Sequence, residues 1–164
     1  MGKKVDTKDL VEKIDRITKK RMAENKVVSL EEFRRTQVKP EHHRLLIIDD
    51  DETMRKALRR IFEAEGYLVT TAADGTQLSN VLDEIELDLI LLDVGLPWIN
   101  GLELCQLMKE HEQLQEIPIV MISGRTSELD VKRGFDAGAN DYVKKPFDVD
   151  AIKKTVNTLL QLNK

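Results

Sequence analysis

Acidic residues follow two of the apolar runs in this sequence, at the points where those runs end. In the stretch LLIIDDDETMR, the apolar run Leu45–Ile48 is followed directly by Asp49, Asp50 and Asp51. A second run, LDLILLD, ends at Asp93. Crowded carboxylates repel one another unless a cation lies between them, and a few hard oxygen ligands completed by water suit Mg²⁺. The pattern therefore predicts a magnesium site built from two separate segments.

A hydroxyl group and an ammonium group follow two further apolar runs. Ser123 comes directly after IPIVMI, and Lys145 comes directly after DYVK. A carboxylate such as Asp93 can act as a nucleophile toward a phosphoryl group, and Mg²⁺ together with a lysine would neutralise the charge on the group being transferred. A serine hydroxyl would donate a hydrogen bond to a phosphoryl oxygen. If all these side chains face one site, they predict phosphoryl-transfer chemistry.

The elements that must position these side chains alternate between short apolar runs and amphipathic stretches. This alternation, repeated five times, predicts an α/β domain whose parallel sheet is covered on both faces. Ligands of such sheets bind beyond the carboxyl ends of the strands, which is where the acids, the serine and the lysine are expected to meet. The predicted strands are Leu45–Ile48, Leu68–Thr71, Leu87–Leu92, Ile117–Ile122 and Asp141–Val143, and the predicted helices are 52–65, 75–85, 101–111, 127–137 and 149–162.

Residue types at the ends of the predicted helices support these boundaries. Short polar side chains that accept backbone N–H groups favour the N-cap position, and glycine favours the position just beyond the last turn. The predicted N-caps are Asp51, Asp74, Asn100 and Asp148, and the predicted stop is Gly66.

Four stretches of the sequence resemble the receiver domain of bacterial two-component response regulators, in the same order and at the same spacing. They are LLIIDDDETMR, LDLILLDVGLPWINGLEL, IPIVMISGR and AGANDYVKKPF, and the resemblance covers residues 45–162. It implies a flavodoxin-like fold with a five-stranded doubly wound parallel sheet in the order 2-1-3-4-5. We therefore expect a receiver domain at residues 41–164, preceded by an N-terminal helical extension and linker at residues 1–40.

The resemblance also assigns roles to single residues. It implies that Asp93 is the phosphoacceptor and that Asp49 and Asp50 are the metal-binding acidic pair. Ser123 matches the hydroxyl position that senses the phosphoryl group, and Lys145 matches the lysine that contacts it. The cofactor implied is Mg²⁺, with Mn²⁺ as an alternative.

Three further positions match the family pattern. The backbone carbonyl of Gly95 corresponds to a metal ligand, and Tyr142 corresponds to the aromatic switch residue on the fifth strand. Pro146 corresponds to a proline whose preceding peptide bond is usually cis. Gly95 lacks a side chain, which leaves that edge of the site open and is expected to alter the lifetime of an aspartyl phosphate.

By resemblance, the expected function is a phosphorylation-dependent signalling switch rather than an enzyme with outside substrates. A histidine kinase or a phosphotransfer protein would donate to Asp93, and Mg²⁺-dependent self-phosphorylation and self-dephosphorylation are expected. Ser123 would move toward the phosphoryl group and Tyr142 would turn inward. The surface of the fourth helix, fifth strand and fifth helix of the receiver would then change its affinity for a downstream protein target, or for a second copy in a homodimer.

Two alternative functions stay open at this point. A small Mg²⁺-dependent phosphatase with an aspartate nucleophile uses similar groups, but such enzymes usually carry a second aspartate two residues after the nucleophile as general acid–base. That position is Gly95 here, which argues against the phosphatase. A receiver that binds partners without phosphorylation is disfavoured by the complete set of site residues. Only 19 residues follow Lys145, so we expect output by contact with another protein or through the N-terminal segment.

The N-terminal segment has helical character. Apolar residues at helical spacing predict an amphipathic helix from about Asp6 to Asn25. A capping box of Ser29 and Glu32 predicts a second, short helix that ends before Pro40.

Four roles remain open for the N-terminal segment. In the first, it packs on the receiver or stays solvated. In the second, it self-associates through Leu10, Ile14 and Ile17, and in the third it docks onto a kinase or a target. Nucleic-acid binding is the least favoured role, because residues 1–44 carry 8 acidic residues beside 13 basic ones.

Composition excludes several classes of protein. Residues 1–44 carry a net charge of +5 and residues 45–164 a net charge of −9, so the receiver segment is a poor binder of nucleic acid. No apolar run approaches the ~20 residues of a membrane helix, and the N-terminus does not resemble a signal peptide. Cys105 is the only cysteine, which excludes a disulfide framework and favours a cytoplasmic setting.

Overall fold

The sheet of this protein contains five parallel strands in the order β2-β1-β3-β4-β5. The structure is a computed structural model that describes residues 7–24 and 42–162. The strands are β1 (Arg44–Ile48), β2 (Leu68–Ala72), β3 (Leu89–Asp93), β4 (Ile119–Ser123) and β5 (Asp141–Lys144). The helices are α1 (Thr7–Glu24), α2 (Glu52–Ala64), α3 (Gly75–Glu84), α4 (Gly101–Glu110), α5 (Glu128–Asp136) and α6 (Val149–Leu162). This arrangement confirms the predicted flavodoxin-like fold with an N-terminal helical extension.

The helix caps lie where short polar residues predicted them. Asp51 accepts the N–H groups of Thr53 and Met54, so α2 begins at Glu52. After α2 the chain turns at Gly66, whose φ of +90° is costly for any residue with a side chain. Asp74, Asn100 and Asp148 cap α3, α4 and α6 in the same way, and Ser127, which was not among the predicted caps, caps α5.

Two strands begin later than the apolar runs predicted. Strand β3 begins at Leu89 and strand β4 at Ile119, each two residues further along the chain. Pro118 has no amide hydrogen to donate to a neighbouring strand. The carboxylate of Asp88 accepts the N–H of Arg44 at 2.6 Å, which takes the place of a ladder bond at the start of the sheet.

Both faces of the sheet are buried, as the continuous apolar runs predicted. Successive strand residues point to opposite faces, so each strand contributes to two core clusters. One cluster joins Leu45 and Ile47 to α2 and α6, and the other joins Leu46 and Ile48 to α3 and α4. Cys105 is fully buried in the second cluster.

Helix α1 packs on the outside of the layer formed by α3 and α4. Leu10 and Ile14, one helical turn apart, are 3% and 2% exposed and belong to the core cluster on that side. Polar contacts flank these two residues, from Lys13 Nζ to Asp83 Oδ2 at 3.2 Å and from Asp15 Oδ1 to His111 Nδ1 at 3.5 Å. Among the roles weighed for this segment, the structure therefore has the helix packed on the receiver.

Part of the N-terminal prediction falls outside the described residues. The short helix expected to begin at Ser29 and to end before Pro40 lies outside these residues, and the side chain of Ile17 is also not described. Among the helices within residues 7–24 and 42–162, none combines the length and the apolar character that crossing a membrane requires.

Candidate functional site

Asp49 lies at the carboxyl end of the inner strand β1 and is only 2% exposed. Its backbone N–H donates to the carbonyl of Ala72, which extends the pairing of β1 with β2 by one residue. Its side chain accepts the N–H of Asp51 at 2.9 Å, and its own carbonyl accepts from the Arg55 guanidinium at 2.8 Å. The carboxylate is therefore held in one orientation by both the strand and the first turn of α2.

Asp93 ends the neighbouring strand β3 and is 9% exposed. One carboxylate oxygen, Oδ1, accepts the N–H of Gly95 at 3.2 Å. The loop then turns back, so that the N–H of Gly101 donates to the carbonyl of Val94. A Cβ atom added to Gly101 would lie 2.6 Å from the carbonyl oxygen of Asp93, so the start of α4 rests directly on the backbone of this loop.

Three carboxylates meet where β1 and β3 end. One oxygen from each of Asp49, Asp50 and Asp93 lies within 4.8 Å of the other two. Asp49 and Asp93 are buried, whereas Asp50 faces solvent and leaves the cluster accessible. Hard oxygen ligands in this number, with an open side for water, fit a divalent cation such as Mg²⁺.

Electrostatics favour a cation at this cluster. Burial raises the pKa of the Asp49 carboxyl, and the negative charge of Asp93 raises it further. The N–H of Asp51 and the ammonium of Lys145 oppose this change without cancelling it. A divalent cation between the acids would stabilise their ionised forms, because it replaces the solvation that burial has removed.

Lys145 reaches the same cluster from the end of the edge strand β5. It follows strand β5, and its Nζ lies 3.3 Å from Asp49 Oδ2 and 3.6 Å from Asp93 Oδ1. Its backbone N–H donates to the carbonyl of Ser123, which fixes the end of β5 against the end of β4. The peptide bond between Lys145 and Pro146 is cis, as the resemblance predicted.

Ser123 and Tyr142 are joined through the backbone of one residue that sequence reasoning missed. Ser123 is 2% exposed, and its Oγ accepts the N–H of Arg125 at 3.0 Å. The hydroxyl of Tyr142 donates to the carbonyl of the same Arg125 at 2.6 Å. The contact depends on the backbone of Arg125, so its side-chain type gives no signal for it in the sequence.

An open cavity lies along the loop that follows Asp93. Its volume is about 330 Å³, and it is lined by the loop residues 94–100 together with Arg125. Trp98 lies in this lining and is half-buried. Gly95 has no side chain, so this approach to the carboxylate is clear. A Cβ atom on Gly95 would lie 3.9 Å from Asp93 Oδ1.

Comparison with known proteins gives a consistent set of relatives. Residues 45–157 match the family model described as the response regulator receiver domain. The chain is 34% identical over 120 residues to the DNA-binding response regulator MtrA of Mycobacterium tuberculosis, which covers 73% of this chain and 51% of MtrA. It is 37% identical over 118 residues to the DNA-binding dual master transcriptional regulator RpaA of Synechocystis sp., covering 72% of this chain and 49% of RpaA.

A solved structure has the same fold. The chemotaxis response regulator CheY4 of Vibrio cholerae matches with a TM-score of 0.67 and 28% identity, over 72% of this chain and 98% of that one. The chain spans about half the length of the curated relatives that it matches. The matched segment contains the sheet except for Arg44, the first residue of β1, and all the acidic and basic residues of the candidate site. The chain therefore belongs to the response regulator receiver domain family.

Proposed function

We propose that this chain is a phosphorylation-dependent signalling switch in which Asp93 accepts a phosphoryl group from a histidine kinase or a phosphotransfer protein. The observation that supports this function is the meeting of three carboxylates with one ammonium group. Their oxygens lie within 4.8 Å of one another, and Lys145 Nζ lies 3.6 Å from Asp93 Oδ1. An Asp93 oxygen would form a bond to phosphorus as the P–N bond to the donor imidazole breaks, and that nitrogen would leave with the electron pair.

The proposed metal ligands are Asp49, Asp50, Asp93 and the backbone carbonyl of Gly95. Receiver domains bind Mg²⁺ at an acidic pocket, and the acids here are spaced to hold a divalent cation, Mg²⁺ or Mn²⁺. When bound, such an ion neutralises negative charge on the phosphoryl oxygens. Lys145 would supply a second positive charge from the opposite side, because its ammonium already contacts two of the acids.

Ser123 and Tyr142 are the proposed switch residues. We infer that Ser123 moves toward a phosphoryl group on Asp93 and gives up its bond to the N–H of Arg125. Because Tyr142 bonds the carbonyl of the same residue, a change at Ser123 alters the environment of the tyrosine ring. The two side chains are therefore linked through the backbone of Arg125.

The proposed output surface is formed by α5, β5 and α6. Leu129 and Phe135 on α5 are 55% and 46% exposed, and Val149 at the start of α6 is 41% exposed. Exposed apolar side chains of this size support a protein contact. We propose a downstream protein target, or a second copy of this chain, as the partner. The net charge of −9 on residues 45–164 supports protein rather than nucleic acid as the direct partner.

We assign residues 41–164 to the receiver and residues 1–40 to the extension. Homodimer formation through the extension would have to use side chains other than Leu10 and Ile14, or would require α1 to leave the receiver, because both residues are buried there.

The experiment that tests the function is phosphorylation with a small donor. The full chain is incubated with acetyl phosphate and Mg²⁺ and separated on a phosphate-retarding gel. We expect a slower band that hydroxylamine removes, because hydroxylamine cleaves an acyl phosphate. Asp93→Asn should abolish the band, since it removes the nucleophile and retains the shape of the side chain. Asp51→Asn is the matched control and should keep the band, because Asp51 caps α2.

Two outcomes would contradict the proposal. Continuous release of phosphate in large molar excess over the protein would indicate a phosphatase. A failure of both acetyl phosphate and a panel of phosphorylated histidine kinases to label Asp93 would indicate a receiver that binds its partners without phosphorylation. Omission of Mg²⁺ tests the metal, and labelling that persists in excess chelator would exclude its proposed role.

A further inference from the structure

The ring of Tyr142 lies against the backbone of α5. Tyr142 is half-buried on β5, opposite Met121 of β4, and its ring packs at the edge of the core cluster that contains α3 and α4. The hydroxyl group reaches the carbonyl of Arg125, which precedes α5 in the chain. The ring is therefore anchored at its polar end and enclosed along its side.

The residue of α5 that faces this ring is Gly134, which is buried. A Cβ atom built on Gly134 would lie 2.7 Å from Cδ2 and 3.0 Å from Cε2 of Tyr142. It would also lie 3.1 Å from the sulfur of Met121. Carbon atoms in contact are ordinarily about 3.5–4.0 Å apart, so the ring occupies space that any other residue at position 134 would fill. We call this space the Tyr142 slot, bounded by Gly134, Met121 and the carbonyl of Arg125.

Backbone conformation gives no separate reason for a glycine at position 134. Within the described residues, only Gly66 and Gly138 have a positive φ, so Gly134 has an ordinary helical backbone that alanine would also adopt. Glycine in the interior of a helix is less favourable than alanine because it loses more conformational freedom on folding. The helix therefore contains a weak residue at the one place where the tyrosine ring needs room.

We propose that Gly134 is a positioning residue for the switch. Because it has no side chain, it keeps the Tyr142 slot open and so sets the equilibrium between the ring position in this structure and other positions of the ring. A methyl group at position 134 would push the ring out of the slot and break its bond to Arg125. The functional half of this inference rests on the proposed role of Tyr142 as a switch. The steric half concerns packing alone and stands or falls separately.

The steric half is tested by the sign of one substitution in three backgrounds. In the wild-type chain, Gly134→Ala should lower the urea midpoint, because the methyl group overlaps the ring. In Tyr142→Ala the ring is gone and the flexible side chain of Met121 can move aside, so the same substitution should raise the midpoint through helix propensity. There we expect the unfolding equilibrium constant to fall by about fivefold. In Tyr142→Phe, which keeps the ring and loses the hydroxyl, the substitution should again lower the midpoint.

Lys132→Ala on the exposed side of α5 is the matched control and should behave alike in all three backgrounds. The steric half is overturned if Gly134→Ala stabilises the wild-type chain. It is also overturned if the substitution has the same effect in the wild type and in Tyr142→Ala.

The functional half is tested by the NMR signals of the two tyrosines. In protein labelled with ¹³C at tyrosine, Tyr142 reports on the slot and Tyr67, which lies on the other side of the sheet, serves as an internal reference. We expect beryllium fluoride with Mg²⁺, a mimic of the phosphoryl group, to shift the Tyr142 signal. Gly134→Ala should shift that signal before the mimic is added and reduce the further shift that the mimic causes.

The outcomes of this experiment separate the two proposals. If the mimic binds and the wild-type Tyr142 signal does not shift, Tyr142 and Gly134 have no part in the switch. The packing result would be unaffected. A full response to the mimic in Gly134→Ala, equal to that of the wild type, would overturn the positioning role of Gly134 while leaving Tyr142 as a switch residue.

Discussion

Lys145 Nζ lies 3.3 Å from Asp49 Oδ2, although 96 positions separate the two residues in the sequence. The same ammonium lies 3.6 Å from Asp93 Oδ1, so one cation contacts acids at the ends of two adjacent strands. This contact offsets part of the repulsion between the carboxylates. It also places a positive charge beside the proposed metal site, where that charge opposes the binding of a second cation.

Replacing Lys145 should therefore separate metal binding from phosphorylation. We expect Lys145→Met to bind Mg²⁺ several-fold more tightly than the wild type at pH 8, because a nearby positive charge has been removed. Phosphate uptake from acetyl phosphate should fall, because the second cation is lost. Titration of Trp98 fluorescence or calorimetry measures the affinity. Lys144→Met, at the exposed neighbouring position, should change neither property. Weaker Mg²⁺ binding in Lys145→Met would show that the lysine mainly organises the acids.

Asp49→Asn should stabilise the metal-free protein and abolish its response to Mg²⁺. Burial and Asp93 raise the pKa of Asp49 in the folded protein, so ionisation of this group opposes folding. In the metal-free wild type, the contribution of Asp49 to stability should therefore fall as the pH rises above about 3.9, the ordinary pKa of an unfolded aspartate. The asparagine variant should lack this loss, while Asp50→Asn at the exposed position should retain it. Urea unfolding at several pH values, with and without Mg²⁺, measures the effect, and an unchanged pH profile in Asp49→Asn would contradict it.

Gly101→Ala should destabilise the protein although alanine is the better helix former. The added Cβ would lie 2.6 Å from the carbonyl oxygen of Asp93 and 2.6 Å from the Cα of Val94. Both are backbone atoms that cannot rotate away, so a cost of about 1–3 kcal/mol is expected. Gly124→Ala is the control, because its Cβ would meet nothing within 4 Å. Equal urea midpoints for the two variants would show that the loop after Asp93 yields easily.

The packing of α1 can be measured through a single buried side chain. Ile14 is 2% exposed, and truncation of a buried isoleucine to alanine costs about 2–5 kcal/mol where the surrounding structure is fixed. We expect Ile14→Ala to lower the free energy of unfolding of the full chain by an amount near the lower end of this range. Arg16→Ala, at an exposed position of the same helix, should leave it unchanged. A neutral result for Ile14→Ala would mean that α1 leaves the receiver before the sheet unfolds.

The strands, the helices and the acidic site were predictable because their signals are local. Apolar periodicity and capping residues fix the elements, and the rule that ligands lie beyond the carboxyl ends of parallel strands brings Asp49, Asp93 and Lys145 together. The late starts of β3 and β4 were not anticipated, because periodicity does not report where pairing begins. Leu87 and Ile117 are apolar, yet both precede the residues that pair.

Other features depend on tertiary geometry that no short pattern contains. The amphipathic character of α1 shows which of its residues are apolar, but it does not specify the α3–α4 layer as the surface that buries Leu10. The bond from Tyr142 to Arg125 uses a backbone carbonyl, which every residue has. The importance of Gly134 emerges only from the position of a ring in another element. Glycine inside a predicted helix was the one available hint, since it is unfavourable there.

The position of α1 makes two parts of this receiver present different surfaces, one charged and one apolar, to another protein. A protein that approaches the α3–α4 layer would meet the charged outer side of α1 instead of an apolar groove. This side exposes Lys8, Glu12 and Arg16. At the other edge of the sheet, α5 and α6 lie on opposite faces beside β5, and both keep apolar side chains exposed. The extension thus covers part of one face with a charged surface, whereas the β5 edge, which carries Tyr142, presents apolar side chains.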